Sequence, residues 1–171
     1  TRGGFLRLGL AAACALLASP LRAHNAQHGS QAAPEIKAVA PQGAKVTLTD
    51  TPLVDQNGQR LLFKSEVLAD RLVVIGFVYT SCTTVCPVTS QIMAQVQSRL
   101  GERAARDVAF VTVTVDPVRD RPAVLKAHAE RIGADWRWLT GAKPQVDEVL
   151  RGFGAWTANF VDHPPLIMVG D

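Results

Sequence analysis

Apolar residues in the middle of the chain fall into short runs separated by polar turns. The run at 72–79 is apolar almost throughout, which is typical of a strand buried on both faces of a parallel sheet. Residues 108–115 are rich in β-branched side chains and predict a second central strand, and 166–169 predict a short third one. Earlier in the chain, Asn57-Gly58 separates two apolar runs and predicts a β-hairpin.

Segments with helical spacing lie between and after these strands. The first predicted helix follows Pro87 and carries four apolar residues at intervals of four: Val88, Ile92, Val96 and Leu100. A second helix is predicted at 122–132, with Asp120 as its cap, and a third at 144–153. Strands that alternate with helices predict an α/β fold, with a central mixed sheet flanked by helices and an N-terminal hairpin.

The N-terminal region has the layout of an export signal. Residues 8–21 carry no charge, and Arg2 and Arg7 precede them. The run is shorter than the ~20 residues that a membrane-spanning helix needs. We interpret residues 1–23 as a signal peptide or a membrane anchor. A buried core helix and a lipid-modified Cys14 are the weaker alternatives.

Residues 24–45 are rich in Ala, Gln, Gly and Pro and predict a flexible linker, in which His24 and His28 are solvated. The folded domain is expected at 46–171, outside the cytoplasm: periplasmic, exported or anchored to the outer face of the inner membrane. The predicted strand at 166–169 has no partner after it. We therefore expect the domain to be truncated at its C-terminus and the native protein to continue with another strand and a helix.

The charge balance excludes one class of partner. The chain has 18 basic and 15 acidic residues, a net charge of +3. Three of the basic residues are arginines within 1–23, so the rest of the chain is neutral. A neutral domain lacks the basic surface that nucleic acid requires, and we expect no nucleic-acid partner.

Cys82 and Cys86 lie between the strand at 72–79 and the following helix, at the strand end where open α/β sheets place their sites. Cys86 is predicted at the helix N-terminus, where backbone N–H groups would favour its thiolate. Besides two inert buried thiols, three chemistries fit this pair. They are disulfide exchange, peroxidase chemistry and metal binding. The peroxidase is suggested by the pattern Thr83-x-x-Cys86, but Tyr79 stands where that pattern expects proline.

A metal site here favours copper. Two thiolates select soft ions such as Cu(I), and a third imidazole ligand is compatible with it, whereas a structural zinc site would need four ligands. His163 precedes the strand at 166–169. If that strand runs antiparallel to the one at 72–79, His163 faces the cysteine loop. His128 shares a helix face with apolar residues and is interpreted as a packed histidine. Asp116, at a strand end, is either a turn residue or a point of partner docking or metal approach.

Three segments resemble the SCO/SenC family of copper chaperones, which serve the assembly of cytochrome c oxidase. They are 77–87 with the two cysteines, 115–122 with Asp116-Pro117, and Asp162-His163. The resemblance covers the chain from about residue 46 to its end. In two places the sequence departs from the family: Thr83 stands where proline is frequent, and Pro164-Pro165 follow His163 where small residues are commoner.

The resemblance implies a thioredoxin-like fold and a function. Cys82, Cys86 and His163 would bind Cu(I) and also accommodate Cu(II). Independently of the resemblance, the two cysteines are close enough in the sequence to form a redox disulfide. The protein would then be a non-enzymatic chaperone that delivers copper to the copper-bearing subunit of cytochrome c oxidase or to another copper protein. Because the disulfide leaves no thiolate for Cu(I), we also expect a disulfide-reducing partner. The alternative is a thiol-disulfide oxidoreductase that keeps partner cysteines reduced.

Overall fold

Six strands form one mixed sheet in the computed structural model, which describes residues 45–171 apart from the Ala105 side chain. The strands are β1 (Pro52–Asp55), β2 (Arg60–Leu62), β3 (Leu72–Val78), β4 (Val108–Thr114), β5 (Arg137–Thr140) and β6 (Ile167–Gly170). The predicted signal or anchor and the predicted linker up to residue 44, with Cys14, His24 and His28, lie outside the described residues.

The strands are arranged in the order β2-β1-β5-β4-β3-β6. The three central strands β5, β4 and β3 are parallel, β1 is antiparallel to β2 and β5, and β6 is antiparallel to β3. This arrangement confirms the predicted mixed sheet with an N-terminal hairpin. It also meets the condition under which His163 was expected near the cysteine loop.

Four α-helices accompany the sheet: α1 (Val85–Leu100), α2 (Glu102–Asp107), α3 (Pro122–Ile132) and α4 (Lys143–Gly152). A six-residue π-helical segment, Phe63–Leu68, follows β2, and a 3-10 turn, Phe160–Asp162, precedes His163. The three predicted helices are confirmed. The short helix α2 and strand β5 were missed by the sequence pattern. Within 45–171 no helix has both the length and the apolar character needed to cross a membrane.

The core lies on both faces of the sheet. On one face, the apolar side of α4 packs with Leu53, Phe77 and Val111. On the other, residues of α1, α2 and α3 pack with Trp136 and Trp138. Every residue of β4 is buried, as expected for the central strand of a sheet that is covered by helices on both faces.

The face of α1 that packs on the sheet is not the face that carries its regularly spaced apolar residues. Val88 is 54% exposed and Ile92 47%, whereas Thr89, Ser90 and Met93 are buried. The reason lies on β3, where Gly76 leaves room for Met93. A Cβ atom at Gly76 would lie 2.6 Å from the Met93 sulfur. The exposed apolar stripe of α1 is defined as Val85, Val88, Ile92 and Val96.

Candidate dithiol site

Two cysteines flank the start of α1 at the carboxyl end of β3. Cys82 lies in the loop between β3 and α1, and Cys86 lies in the first turn of α1. Both side chains are buried, and no disulfide joins them. The loop is closed by the Cys82 backbone N–H, which donates to the carbonyl of Tyr79 at 3.2 Å.

The Cys82 sulfur receives the hydrogen bonds that the helix start offers. The Cys86 backbone N–H donates to Cys82 Sγ at 3.4 Å, and the Thr84 hydroxyl lies 3.7 Å from the same atom. Burial acts to raise the pKa of Cys82, but the hydrogen bonds from Cys86 and Thr84 together outweigh it and lower the pKa to about 6. Cys82 is therefore largely a thiolate at neutral pH.

Cys86 behaves in the opposite way. Burial, and then its hydrogen bond to Cys82 and the nearby negative charges of Cys82 and Asp120, raise its pKa to about 12. The prediction that the helix N-terminus ionises Cys86 is therefore wrong. The free N–H groups of the first turn point out of the helix toward the preceding loop, so they stabilise the sulfur of Cys82 rather than one within the turn.

Tyr79 lies between the cysteine loop and His163. Its ring packs edge-on against Phe160, with centroids 5.1 Å apart, and against the His163 ring at 5.5 Å. Burial, and then a hydrogen bond to Cys82 and nearby negative charges, raise the pKa of Tyr79. The sequence pattern places Tyr79 at the end of the strand at 72–79, and nothing in its spacing indicates that it lies between the cysteine loop and His163.

His163 is buried, and both of its ring nitrogens face backbone carbonyls. Nδ1 is 3.0 Å from the Phe160 oxygen and Nε2 is 3.2 Å from the Phe77 oxygen. The antiparallel register, which pairs Gly76 with Ile167, brings His163 beside the end of β3. A neutral imidazole has one N–H and can donate to only one of these carbonyls.

Within 45–171, no three His, Cys, Asp or Glu side chains lie close enough together to hold a metal ion. The structure brings Cys82 and Cys86 together. It does not place the His163 ring in a group of metal ligands with them, because both ring nitrogens are directed at carbonyls. The three-ligand set stays a prediction.

Asp116 is buried and ion-paired. Its carboxylate accepts a hydrogen bond from Arg119 at 2.8 Å, and the Arg119 guanidinium lies over the Phe160 ring at 5.3 Å. The pair links the turn after β4 to the segment before His163. Asp116 as a point of partner docking stays a prediction, and Arg119 is the exposed member of the pair.

Asp120 was predicted to cap α3, but Arg121 occupies the cap position and no side chain caps that helix. The Asp120 carboxylate instead accepts hydrogen bonds from Thr80 and Thr114. Pro122 in the first turn of α3 removes one N–H that a cap would serve, and the threonines offer stronger donors inside the protein.

His128 is packed, as predicted. Its ring lies 5.3 Å from the ring of Trp138, and the Arg131 side chain approaches Nδ1 at 2.7 Å. Burial, and then the Arg131 charge, lower its pKa. His128 therefore belongs to the core beneath α3.

A buried dithiol at the start of a helix, after a parallel strand of a mixed sheet covered by helices on both faces, defines a thioredoxin-like protein. Within that class, the SCO1/SenC family model matches residues 39–165, and the chain belongs to this family.

Relatives are found in several bacteria. The SCO2-like protein of Rickettsia felis is 34% identical over 109 residues, which cover 64% of this chain and 52% of that protein. Protein SenC of Rhodobacter capsulatus is 29% identical over 119 residues, which cover 65% of this chain and 52% of that protein. The chain thus spans about half the length of these relatives.

Solved structures share the fold. Bradyrhizobium japonicum ScoI with copper bound matches with a TM-score of 0.59 and 26% identity, covering 74% of this chain and 79% of that one. BsSco, described as a member of the Sco family of cytochrome c oxidase assembly proteins with a disulfide switch, matches with a TM-score of 0.53 and 26% identity over 70% and 72% of the two chains. Yeast Sco1 matches at 0.63, with 23% identity over 74% and 77%.

Proposed function

We propose that the protein is a copper chaperone that carries Cu(I) on Cys82 and Cys86, with His163 as the third ligand. The observation that carries this proposal is the pair of buried sulfurs at the start of α1, where the Cys86 backbone N–H donates to Cys82 Sγ at 3.4 Å and the pKa of Cys82 is lowered to about 6. Thiolates are the ligands that Cu(I) prefers, and one is already formed before the metal arrives. The donor set therefore fits copper as the cargo.

Each ligand has a separate requirement for binding. Cys82 supplies the thiolate, and Cys86 has to release its proton as copper enters. His163 has to turn one ring nitrogen away from a carbonyl, and Pro164 restricts the backbone that follows it. A site of three ligands leaves one side open to an incoming ligand from the acceptor, which transfer requires.

The acceptor we propose is the copper-bearing subunit of cytochrome c oxidase or another exported copper protein. Support comes from membership of the SCO1/SenC family and from the description of BsSco as belonging to a family of oxidase assembly proteins. We place delivery outside the cytoplasm, in the periplasm or at the outer face of the inner membrane, because of the uncharged run at 8–21.

A thiol-disulfide oxidoreductase is the second candidate. The observation in its favour is the unequal ionisation of the pair. Cys82 thiolate would attack a partner disulfide, and the Cys86 thiol would resolve the mixed disulfide. In the balanced reaction, the protein dithiol becomes the Cys82–Cys86 disulfide and the partner disulfide becomes two thiols. The same disulfide would stop Cu(I) binding, so a copper chaperone needs an external reductant.

Anaerobic titration of the reduced protein with Cu(I), against a competing chromophoric chelator, tests the proposal. We expect one tightly bound Cu(I), with two sulfur ligands and one nitrogen ligand by X-ray absorption. Cys82→Ser or Cys86→Ser should abolish binding, because a hydroxyl is a hard ligand. His163→Ala should weaken Cu(I) binding more modestly and Cu(II) binding most.

The matched control is His128→Ala, which removes a packed histidine outside the cysteine loop and should leave copper binding unchanged. If His163→Ala affects neither copper state, the third ligand is misassigned. If the reduced protein binds no copper but reduces a disulfide substrate catalytically, the oxidoreductase function replaces the chaperone.

A further inference from the structure

The Asp120 carboxylate is buried next to Thr80, at the start of the loop that carries Cys82. The residue is 1% exposed, and both of its oxygens are used. Oδ1 accepts the Thr80 hydroxyl at 2.5 Å, and Oδ2 accepts the Thr80 backbone N–H at 3.0 Å and the Thr114 hydroxyl at 2.6 Å. Three donors therefore converge on one side chain.

No cationic side chain in the part of the chain that the structure describes forms an ion pair with the Asp120 carboxylate. A buried carboxylate without a cation is costly unless several hydrogen bonds satisfy it, and hydrogen bonds to an ionised group are roughly twice as strong as neutral ones. The three donors are therefore held firmly.

The bonded groups fix the start of the cysteine loop. Thr80 is two residues before Cys82, and Tyr79 accepts the Cys82 backbone N–H. Thr114 ends β4, and its hydroxyl oxygen also accepts the backbone N–H of Asp116 at 3.0 Å. Asp120 thus ties the loop to the neighbouring strand end and to the turn before α3.

We propose that Asp120 is a positioning residue for the dithiol site, which acts through Thr80 to hold Cys82 at the distance from Cys86 that copper binding and disulfide closure require. The inference rests on the proposed function for its copper part. A role as a helix cap, or as a stabiliser of the fold alone, would not reach the cysteine pair.

The test uses Asp120→Asn, which preserves size but removes the charge and one acceptor oxygen, and Thr80→Val, which removes the hydroxyl. Thr80→Ser keeps the hydroxyl and should behave like the parent protein. Asp55→Asn is the matched control. Asp55 is also buried and also accepts hydrogen bonds, from the backbone N–H groups of Asn57 and Gln59, but it lies in the β1–β2 hairpin.

Two properties are measured on the reduced, folded proteins: the Cu(I) dissociation constant, and the equilibrium constant for closing the Cys82–Cys86 disulfide with glutathione. In the second reaction, the dithiol and one glutathione disulfide give the protein disulfide and two glutathione molecules. We expect Asp120→Asn and Thr80→Val each to weaken Cu(I) binding by roughly tenfold, the loss of one charged hydrogen bond. Disulfide closure should become less favourable as well, because it depends on how closely the two thiols are held.

The double variant decides whether the two residues act together. If Asp120 acts through Thr80, combining the changes costs little more than either alone. Unchanged values in Asp120→Asn, or changes no larger than those in Asp55→Asn, would overturn the proposal. If the parent protein binds no Cu(I), the proposed function fails, and the disulfide equilibrium alone decides the role of Asp120.

Discussion

Cys82 and Cys86 are neighbours with opposite pKa shifts. Hydrogen bonds from the side chain and the backbone N–H of Cys86 help to lower the pKa of Cys82 to about 6, whereas burial, and then the hydrogen bond to Cys82, raise the pKa of Cys86 to about 12. A thiolate is the reactive form of cysteine. We expect the alkylation rate of Cys82 by iodoacetamide to rise with pH through about 6 and then to level off. Mass spectrometry of the modified peptides at each pH measures the alkylation rate. A rate that still rises steeply at pH 8 would contradict the assigned ionisation.

Thr84 is the side chain whose hydroxyl supports that thiolate. Thr84→Val removes the hydroxyl while preserving shape, so the pKa of Cys82 should rise and the pH profile of alkylation should move to higher pH. Thr83→Val is the neighbouring control, because Thr83 is exposed and contributes no hydrogen bond to the sulfur. Equal profiles for the two variants would show that the Thr84 hydroxyl does not contribute.

The sequence was enough to single out the cysteine pair and the neighbourhood of His163, but not their chemistry. Spacing places Cys86 in the first turn of a helix, yet only the path of the loop shows that the free N–H points to Cys82. In the same way, Asp120 is of a residue type that favours the N-cap of a helix. Its hydrogen-bond partners, Thr80 and Thr114, instead lie at the ends of strands that are distant in the sequence. Long-range hydrogen bonds leave no local pattern.

At the scale of elements, the contact of α1 with β3 depends on Gly76, whose lack of a side chain leaves space for Met93. Met93 is 1% exposed, and a Cβ at Gly76 would lie 2.6 Å from its sulfur. Gly76→Ala should lower the free energy of unfolding by about 1–3 kcal/mol, a typical cost of overpacking, as measured by urea denaturation. Gly170→Ala is the control, because a Cβ there meets nothing within 4 Å. Equal stability of the two variants would mean that the contact is loose.

The two sides of α1 should respond differently to substitution. Ile92→Gln, on the exposed apolar stripe, should change the free energy of unfolding by no more than about 0.5 kcal/mol. Met93→Ala, one residue further on, should lower it by about 2–5 kcal/mol, because it empties a buried volume. Urea denaturation of both variants is the measurement. A large loss in Ile92→Gln would show that the stripe is covered in solution.

Elements with a strong apolar period could be predicted, and those without one could not. The seven-residue strands β3 and β4 were found, whereas β5 has only four residues, begins with Arg137 and is enclosed between Trp136 and Gly141. Helix α2 has six residues, of which four are charged, so no apolar face indicates it. Periodicity predicted α1 itself. The choice of its packed face depended on Gly76, which belongs to another element.

Across the whole molecule, the sheet has a protected centre and two edges. All residues of β4 are buried, and the strand pairs with β3 along its whole length and with β5 at Val111–Val113. Within 45–171, β6 pairs with β3 alone, and Val169 is 66% exposed. Hydrogen–deuterium exchange should therefore be slowest in β4 and faster in β6, where local opening needs less free energy. Exchange in β6 as slow as in β4 would show that this edge is covered or opens only with global unfolding.

The exposed apolar stripe of α1 also bears on how molecules interact with one another. Beyond residue 23 the chain has equal numbers of acidic and basic residues, so little net charge keeps copies apart at neutral pH. Val88 and Ile92 are exposed apolar side chains on this stripe, and such surfaces favour the association of molecules in solution. Light scattering of the protein lacking residues 1–23 should give a negative second virial coefficient near pH 7. Replacing Val88 and Ile92 by glutamate should turn it positive, whereas a value unchanged by those two replacements would place the attraction elsewhere on the surface.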